Sequence, residues 1–265
     1  MQTISVLSWN IQGDTNITGH TSLAKIKPHL LETTADILVL QEALHAQTML
    51  SNIGLARAYN TFVPESNTKP KTGFNHSVVL STYPIEEASE IMFPNWGQQR
   101  YLESVTKADI RIDTHILRIY NCHFPIFRAG IATRVKLLEY ILADSLTHTG
   151  PIIICGDLNT TTPKEGWRKK IIQTWHMQPS ADRMVYGKEV TVDERELFNT
   201  ILSTYGFTEV LNLTTSTWSP FKTKHWELFN LKLDWFMIKN LTPIDYTLGR
   251  YVSDHRPIEV RLRVG

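Results

Sequence analysis

Apolar residues in this chain come in short, often β-branched runs, and that brevity limits what the chain can become. Ile4–Trp9, Ile37–Leu40, Ser77–Ser81, Val105–Ile112, Ile116–Cys122, Ile152–Cys155, Leu233–Ile238 and Ile258–Arg263 each have the length and composition of a strand. None approaches the roughly 18 apolar residues of a membrane span. Met1-Gln2-Thr3 runs straight into a strand-like alternation, so no secretory leader is expected. A hydrophobic content of 42% with a net charge of +1, from 27 basic and 26 acidic residues, excludes a disordered chain. The same near-cancellation leaves no global field to recruit nucleic acid or membrane, so a polyanion would have to meet a local patch.

Between the strands lie helical patterns. Leu23, Ile26, Leu30 and Leu31 share one face, as do Ile131, Val135, Leu138 and Leu142. Asp193 and Glu196 form a capping box that opens a helix through Leu197, Ile201 and Tyr205, with Gly206 just beyond it. Asp113-Thr114-His115 is too short a link for anything but an antiparallel hairpin between 105–112 and 116–122. Strands and helices mix without strict βαβ alternation, which favours a mixed-sheet α/β or α+β architecture over a Rossmann or barrel fold. Cys122 and Cys155 each sit inside an apolar run and read as small buried core residues in a reducing compartment.

The ends of the strands carry the functional signal. Trp9-Asn10, Gln41-Glu42, Asn121-Cys122-His123 and Gly156-Asp157-Leu158-Asn159 each close an apolar run, Asp234 interrupts Leu233-Asp234-Trp235-Phe236, and Ser253-Asp254-His255-Arg256-Pro257 precedes the last one. Taken singly, a carboxylate after a strand commonly caps a helix or turn, and a histidine there is commonly a hydrogen-bonded structural one. Together they put Asn, Asp, Glu and His on rigid elements, as a catalytic site requires. Carboxylate and amide oxygens are hard ligands that suit Mg²⁺ or Mn²⁺. Zinc has no such support, because none of the ten histidines forms an HExxH or HxH pair and no CxxC occurs. GxSxG, Walker and GxGxxG motifs are absent as well. What fits is metal-assisted, in-line attack of water on a phosphoester.

These words, in this order and over nearly the whole chain, resemble the endonuclease/exonuclease/phosphatase superfamily of DNase I-like phosphoesterases. The resemblance implies a four-layer sandwich of two mixed β-sheets flanked by helices. Motifs at residues 10 and 255 must then meet in one site, so residues 1–265 are expected to form one domain. It also implies roles. Glu42 matches the principal metal ligand, with Asn10 beside it and Asp254 near the metal. Asp157 matches the group that orients or deprotonates the attacking water, and Asn159 the one supporting it and the phosphate. His255 matches the histidine at the scissile phosphate, with Asp234 as its hydrogen-bonding partner. His123 is a second donor to the phosphoryl oxygens or the leaving group. Arg100, in Gln99-Arg100-Tyr101, is either substrate-facing or a solvated arginine.

Two positions depart from the exonuclease III-type AP endonucleases. Gln12 stands where those enzymes carry an acidic residue, and His123-Phe124-Pro125 replaces their Tyr-x-Pro-Asn. The histidine is instead shared with the deoxyribonuclease I-like, sphingomyelinase-like, deadenylase-like and tyrosyl-DNA phosphodiesterase-like branches, which turns the reading toward another phosphodiesterase or phosphatase. Segment 164–232 lies between core motifs and interleaves Trp167, Arg168, Lys169 and Lys170 with Trp218, Phe221, Lys222, Lys224, His225 and Trp226. Such residues either stack bases and hold phosphates, with Trp226 contacting substrate, or form core and solvated faces. The preferred reading is a Mg²⁺-dependent phosphodiesterase (Mn²⁺ as substitute) acting on nucleic acid or a nucleotide-containing substrate. Hydrolysis of lipid headgroups, inositol phosphates or other small phosphoesters is the alternative. A catalytically dead scaffold is disfavoured, since every position named keeps a competent residue. The sequon Asn159-Thr160-Thr161 falls inside the best motif, where a glycan would ruin the site, which agrees with a cytoplasmic setting. No protein partner is inferred.

Overall fold

The computed structural model describes residues 1–12, 23–43, 49–51, 54–55, 58–64, 77–93, 104–125, 130–160, 194–219 and 231–265. Among the described residues, twelve strands fall into two six-stranded sheets. The first contains β1 (Gln2–Asn10), β2 (Ile37–Gln41), β3 (Asn60–Phe62), β4 (Val78–Ser81), β11 (Thr242–Leu248) and β12 (Ile258–Val264), in the order β11-β12-β1-β2-β4-β3. The second contains β5 (Ile85–Met92), β6 (Ser104–Ile112), β7 (His115–His123), β8 (Ile152–Asp157), β9 (Thr208–Glu209) and β10 (Asp234–Lys239), in the order β5-β6-β7-β8-β10-β9. Both sheets are mixed, with β1 parallel to β2 and β7 parallel to β8 while the neighbouring pairs run antiparallel.

β1 stacks on β8, and β2 on β7 and β8. Side-chain alternation then decides what each face buries. Ile4 and Val6 of β1, Ile37 and Val39 of β2, Leu117 and Ile119 of β7, Ile153 and Cys155 of β8, and Phe236 and Ile238 of β10 share the core between the sheets. The intervening residues point outward. Trp9, Leu38 and Leu40 pack with Ile26 and Leu30 of helix α1 (Leu23–Glu32). Tyr120, Cys122, Ile152, Ile154, Trp235 and Met237 pack under α2 (Gly130–Ser145) and α3 (Glu194–Thr204). The result is the expected four-layer sandwich. Cys122 and Cys155 are both free and fully buried on opposite faces of the second sheet.

Several expectations shift. Leu31 is half exposed, outside the stripe that Ile26 and Leu30 bury. In α3 Ile201 and Tyr205 of the expected face lie partly buried against the core, but its fully buried residues are Leu202 and Phe198, which packs against Trp235 with ring centroids 6.0 Å apart. Asp193 lies outside the described residues. Glu194 opens α3 with a buried two-pronged ion pair to Arg134 of α2 (2.6 and 3.0 Å), a bond that ties the two helices together. The hairpin between β6 and β7 is tighter than expected, since Ile112 pairs with His115 across Asp113-Thr114.

Gly156 explains how β8 comes so close to β7. Its φ is +124°, and a Cβ at this position would lie 2.1 Å from the carbonyl oxygen of Cys122. That approach sets the parallel register in which Cys122 faces Gly156 and His123 faces Asp157. Gly156→Ala therefore combines backbone strain with a clash against main chain, and should destabilise the fold by roughly 3 kcal/mol or more. Urea or thermal unfolding reads this directly, and a midpoint equal to wild type would contradict the described contact.

Candidate active site

Extending each inner-face stripe by two residues gives the site. Ile4-Val6-Ser8 leads to Asn10, Ile37-Val39 to Gln41, Ile119-Asn121 to His123 and Ile153-Cys155 to Asp157, while Asp234 opens β10 opposite Asp157. Polar residues that continue the inner-face stripe at the strand ends therefore project into one rim between the sheets.

Asp157 is the centre of that rim and is 2% exposed. Its Oδ1 accepts from the Asn159 backbone N–H (2.9 Å). Its Oδ2 accepts from Asn10 Nδ2 (3.0 Å), a bond that crosses from one sheet to the other. Asn10 Nδ2 also reaches Glu42 Oε1 (3.0 Å), and Asn10 Oδ1 accepts from the Gln12 backbone N–H (3.0 Å). Asn159 Nδ2 donates to the Phe124 carbonyl (2.8 Å), which fixes the chain just past His123. Gln12, Glu42 and Asn159, each following a strand, all have left-handed backbone with φ of 53°, 52° and 49°. Non-glycine residues seldom adopt that region, and here it turns the chain over the rim.

Two imidazoles flank Asp157 Oδ2. His123 Nε2 lies 3.7 Å from it and 3.6 Å from Glu42 Oε1. His255 Nε2 lies 3.6 Å from it, and His255 Nδ1 is hydrogen-bonded to Asp234 Oδ2 at 2.8 Å. Burial alone would lower the His255 pKa, but Asp234, Asp157 and Asp254 outweigh it and hold the pKa well above the ordinary 6.5. His255 is thus kept as an imidazolium. Asp254 accepts from Trp218 Nε1 through Oδ2 (3.0 Å), while its Oδ1 is buried with no partner among the described residues. Burial raises the Asp254 pKa, and the negative charges of Glu42 and Asp157 raise it further. Clustered carboxylates, one of them Asp254 with a raised pKa and a buried oxygen that has no partner among the described residues, are a donor set that suits a divalent cation.

Asn10, Glu42, His123, Asp157, Asn159, Asp234, Asp254 and His255 therefore converge on one rim, while Arg100 and Trp226 lie outside the described residues. Supporting residues emerge that sequence reasoning did not single out. Ser253 Oγ donates to the Asn10 carbonyl (2.8 Å) and accepts from Trp9 Nε1 and His255 N (3.0 Å each). Thr217 Oγ1 accepts from the backbone N–H groups of Leu233 and Asp234 (3.1 and 3.0 Å), which fixes the start of β10. Ser253 had a faint signal, lying two residues before His255 as turn serines do. Thr217 had none, because its partners lie 16 and 17 residues away.

Hard carboxylate oxygens clustered beside a caged imidazolium, set between two stacked sheets, suit one class: the metal-dependent phosphoesterase hydrolases. The sequence narrows that class to a family. Residues 7–255 match the model of the Endonuclease/Exonuclease/phosphatase family, and the chain belongs to it. Among solved structures the chain is similar to an endonuclease/exonuclease/phosphatase from Beutenbergia cavernae, with 15% identity, coverage of 100% of this chain and 72% of that one, and a TM-score of 0.71. It is also similar to truncated Caenorhabditis elegans TDP2 (18%, 98% and 97%, 0.65) and to D. rerio TDP2 complexed with a single strand DNA product (16%, 100% and 100%, 0.65). No curated protein matches the sequence. Among the described residues no helix is long and apolar enough to cross a membrane.

The Asp234–His255 pair generates a test. Because His255 titrates higher in the folded than in the unfolded chain, its charge stabilises the fold fully below the unfolded pKa, and that contribution fades as pH rises through the folded one. Asp234→Asn should move the His255 titration, followed by NMR of the ring, to lower pH. His255→Ala leaves Asp234 buried and unpaired, at a cost of about 3–5 kcal/mol. The double variant should be more stable than the two single losses summed. Additive losses with an unmoved titration would mean that the pair does not form.

Proposed function

We propose that residues 1–265 form one catalytic domain that hydrolyses a phosphodiester in nucleic acid or a nucleotide-containing substrate, using Mg²⁺ with Mn²⁺ as substitute. The observation that carries this reading is the position of Asp157 Oδ2, gripped by Asn10 and within 3.7 Å of both imidazoles. A base beside an anion-binding cation is what in-line attack of water on phosphorus requires. Glu42 and Asp254 would hold the metal, with Asn10 fixing the Glu42 carboxylate. When bound, a divalent cation neutralises charge on the phosphoryl oxygens.

The protein groups then divide the remaining work. Asp157, pinned through Oδ1 by the Asn159 N–H, orients a water with Oδ2 and takes its proton as the water oxygen bonds to phosphorus. The P–O bond opposite it breaks, the leaving oxygen departing with that electron pair and taking up a proton from solvent. His255, held cationic by Asp234, meets a non-bridging oxygen and stabilises the charge that builds on it. Likeness to a TDP2 structure holding a single strand DNA product supports nucleic acid as the substrate class. Two free thiols on opposite faces of one sheet fit a reducing, cytoplasmic setting.

Asp157→Asn keeps the shape and removes the base, so kcat should fall roughly 10²–10⁴-fold. Exhaustive chelation should abolish turnover, with Mg²⁺ or Mn²⁺ restoring it and the melting temperature little changed. A panel of single-stranded DNA, abasic duplex, RNA, phosphotyrosyl-DNA, sphingomyelin and inositol phosphates tests the substrate class. Turnover of sphingomyelin or inositol phosphates with none of any nucleic acid would overturn it, and chelator-resistant turnover would overturn the metal requirement.

A further inference from the structure

Polar side chains also occupy the level immediately behind the rim, where period-2 alternation places four of them between the sheets. Gln41 continues the stripe of Ile37 and Val39 in β2, and Ser77, just before β4, that of Val79. Thr106 continues the stripe of Ala108 and Ile110 in β6, and Asn121 that of Leu117 and Ile119 in β7. β2 stacks on β7 and β4 on β6, and Thr106 is the register partner of Asn121. None of the four is more than 1% exposed. Asn121 has its bonds: Oδ1 accepts from Gln41 Nε2 (2.8 Å), and Nδ2 donates to the carbonyls of Leu40 and Val78 (2.9 and 3.0 Å). Gln41 Nε2 also donates to the Val39 carbonyl (3.2 Å), so neither amide can be turned over without losing bonds. Gln41 Oε1, Ser77 Oγ and Thr106 Oγ1 are buried without a partner among the described residues. His123 Nδ1, two residues on from Asn121 along the same face, is in the same condition.

Buried polar atoms need partners, and these four together need one that both donates and accepts. Gln41 Oε1 only accepts, each hydroxyl does both, and an imidazole nitrogen does either according to its tautomer. No charged side chain stands among Gln41, Ser77, Thr106 and Asn121, which argues against an ion. Water meets the requirement, since it donates and accepts and makes about three bonds when buried among polar groups. We propose that the two sheets enclose ordered water behind the rim, bridging Gln41 Oε1, Ser77 Oγ and Thr106 Oγ1 and reaching His123 Nδ1, and that Ser77 and Thr106 are thereby positioning residues for His123. The two histidines of the rim are then held differently. His255 is oriented by Asp234 at 2.8 Å. His123 Nε2, 3.6 Å from Glu42 Oε1 and 3.7 Å from Asp157 Oδ2, is beyond hydrogen-bond length from both, and its ring is steadied from behind through water. The water site stands on geometry alone, and only its consequence for turnover rests on the phosphodiesterase reading above.

The test compares high-resolution crystal structures of the full chain as wild type, Thr106→Val and Thr106→Ser. ¹⁵N NMR of the metal-free proteins reads the His123 ring, assigned by loss of its signals in His123→Gln. Wild type should show water within hydrogen-bond distance of Gln41 Oε1 and Thr106 Oγ1. Thr106→Val keeps the shape and removes the hydroxyl, so it should displace that water and shift the His123 Nδ1 resonance. Thr106→Ser should restore both. On a single-stranded DNA substrate, Thr106→Val should lower kcat roughly tenfold with KM little changed, and Thr106→Ser should recover it. Circular dichroism shows that each variant has folded. Should Thr106→Val fail to fold, Ser77→Ala replaces it in each comparison, and the wild-type structure decides the water by itself. A wild-type structure without water at these atoms, or a His123 resonance unmoved when the water is lost, overturns the proposal. A moved resonance with unchanged kcat overturns the positioning role. Water and resonance as expected, with no turnover of any phosphodiester, overturns the proposed function and leaves the water site standing.

Discussion

The 3.0 Å bond from Asn10 to Asp157 crosses the gap between two sheets, and the rest of the site depends on the stacking that makes it possible. A slip of one residue in either strand would turn its polar end outward and bring an apolar residue to the rim. A second polar layer just behind the site guards against this. Gln41 of the first sheet donates to Asn121 of the second (2.8 Å), and Asn121 donates in turn to the carbonyls of Leu40 and Val78 (2.9 and 3.0 Å). Buried amides of this kind tolerate little displacement, because an unmet donor costs about 1–3 kcal/mol. The interior between the sheets thus grades from apolar to amide to charged along the strand direction, and the chemistry sits at the charged end.

Assembling so many carboxylates requires counter-charge and rigid support. His255 supplies the first, buried against Asp234, and the loops around it supply the second. Trp218 pairs with His255 through backbone and reaches Asp254 through its indole, while Ser219 donates to the Asp254 carbonyl (2.9 Å). Behind Asp234, Lys232 and Glu209 form an ion pair of 2.9 Å that is almost wholly buried, and Lys232 also donates to the Asp234 carbonyl (3.3 Å). The start of β10 is therefore held from both sides, by Thr217 through its backbone N–H groups and by Lys232 through its carbonyl.

The parts of this arrangement that were legible in the sequence are those written in local pattern. Strands buried on both faces, such as Ile37–Gln41 and Ile152–Asp157, announce themselves as apolar runs, and the polar residues closing them mark the rim. Edge strands do not. Ile85–Met92 carries three glutamates on a strand with no fully buried residue, and Thr242–Leu248 contains Pro243 and a bulge, features tolerated at an edge because one side needs no ladder bonds. In α3 Ile201 and Tyr205 are legible as core-facing, whereas Phe198, which meets Trp235, is not, because only the folded sheet brings that ring to it. Thr217, Ser253 and the Lys232–Glu209 pair act through contacts that tertiary folding creates. Ser253, for one, meets Asn10 across 243 residues of chain. No local pattern encodes such a meeting.

Three left-handed residues, Gln12, Glu42 and Asn159, sit together where β1, β2 and β8 end, and their side chains are what a glycine there would forfeit. Glycine would adopt the same backbone with less strain. The rim is thus a place where conformational comfort and the proposed chemistry pull in opposite directions: glycine would relax the backbone there and remove the side chains that Glu42 and Asn159 bring to the proposed site. On the proposed function, a natural relative carrying glycine at the Glu42 position would have lost a metal ligand and kept its architecture.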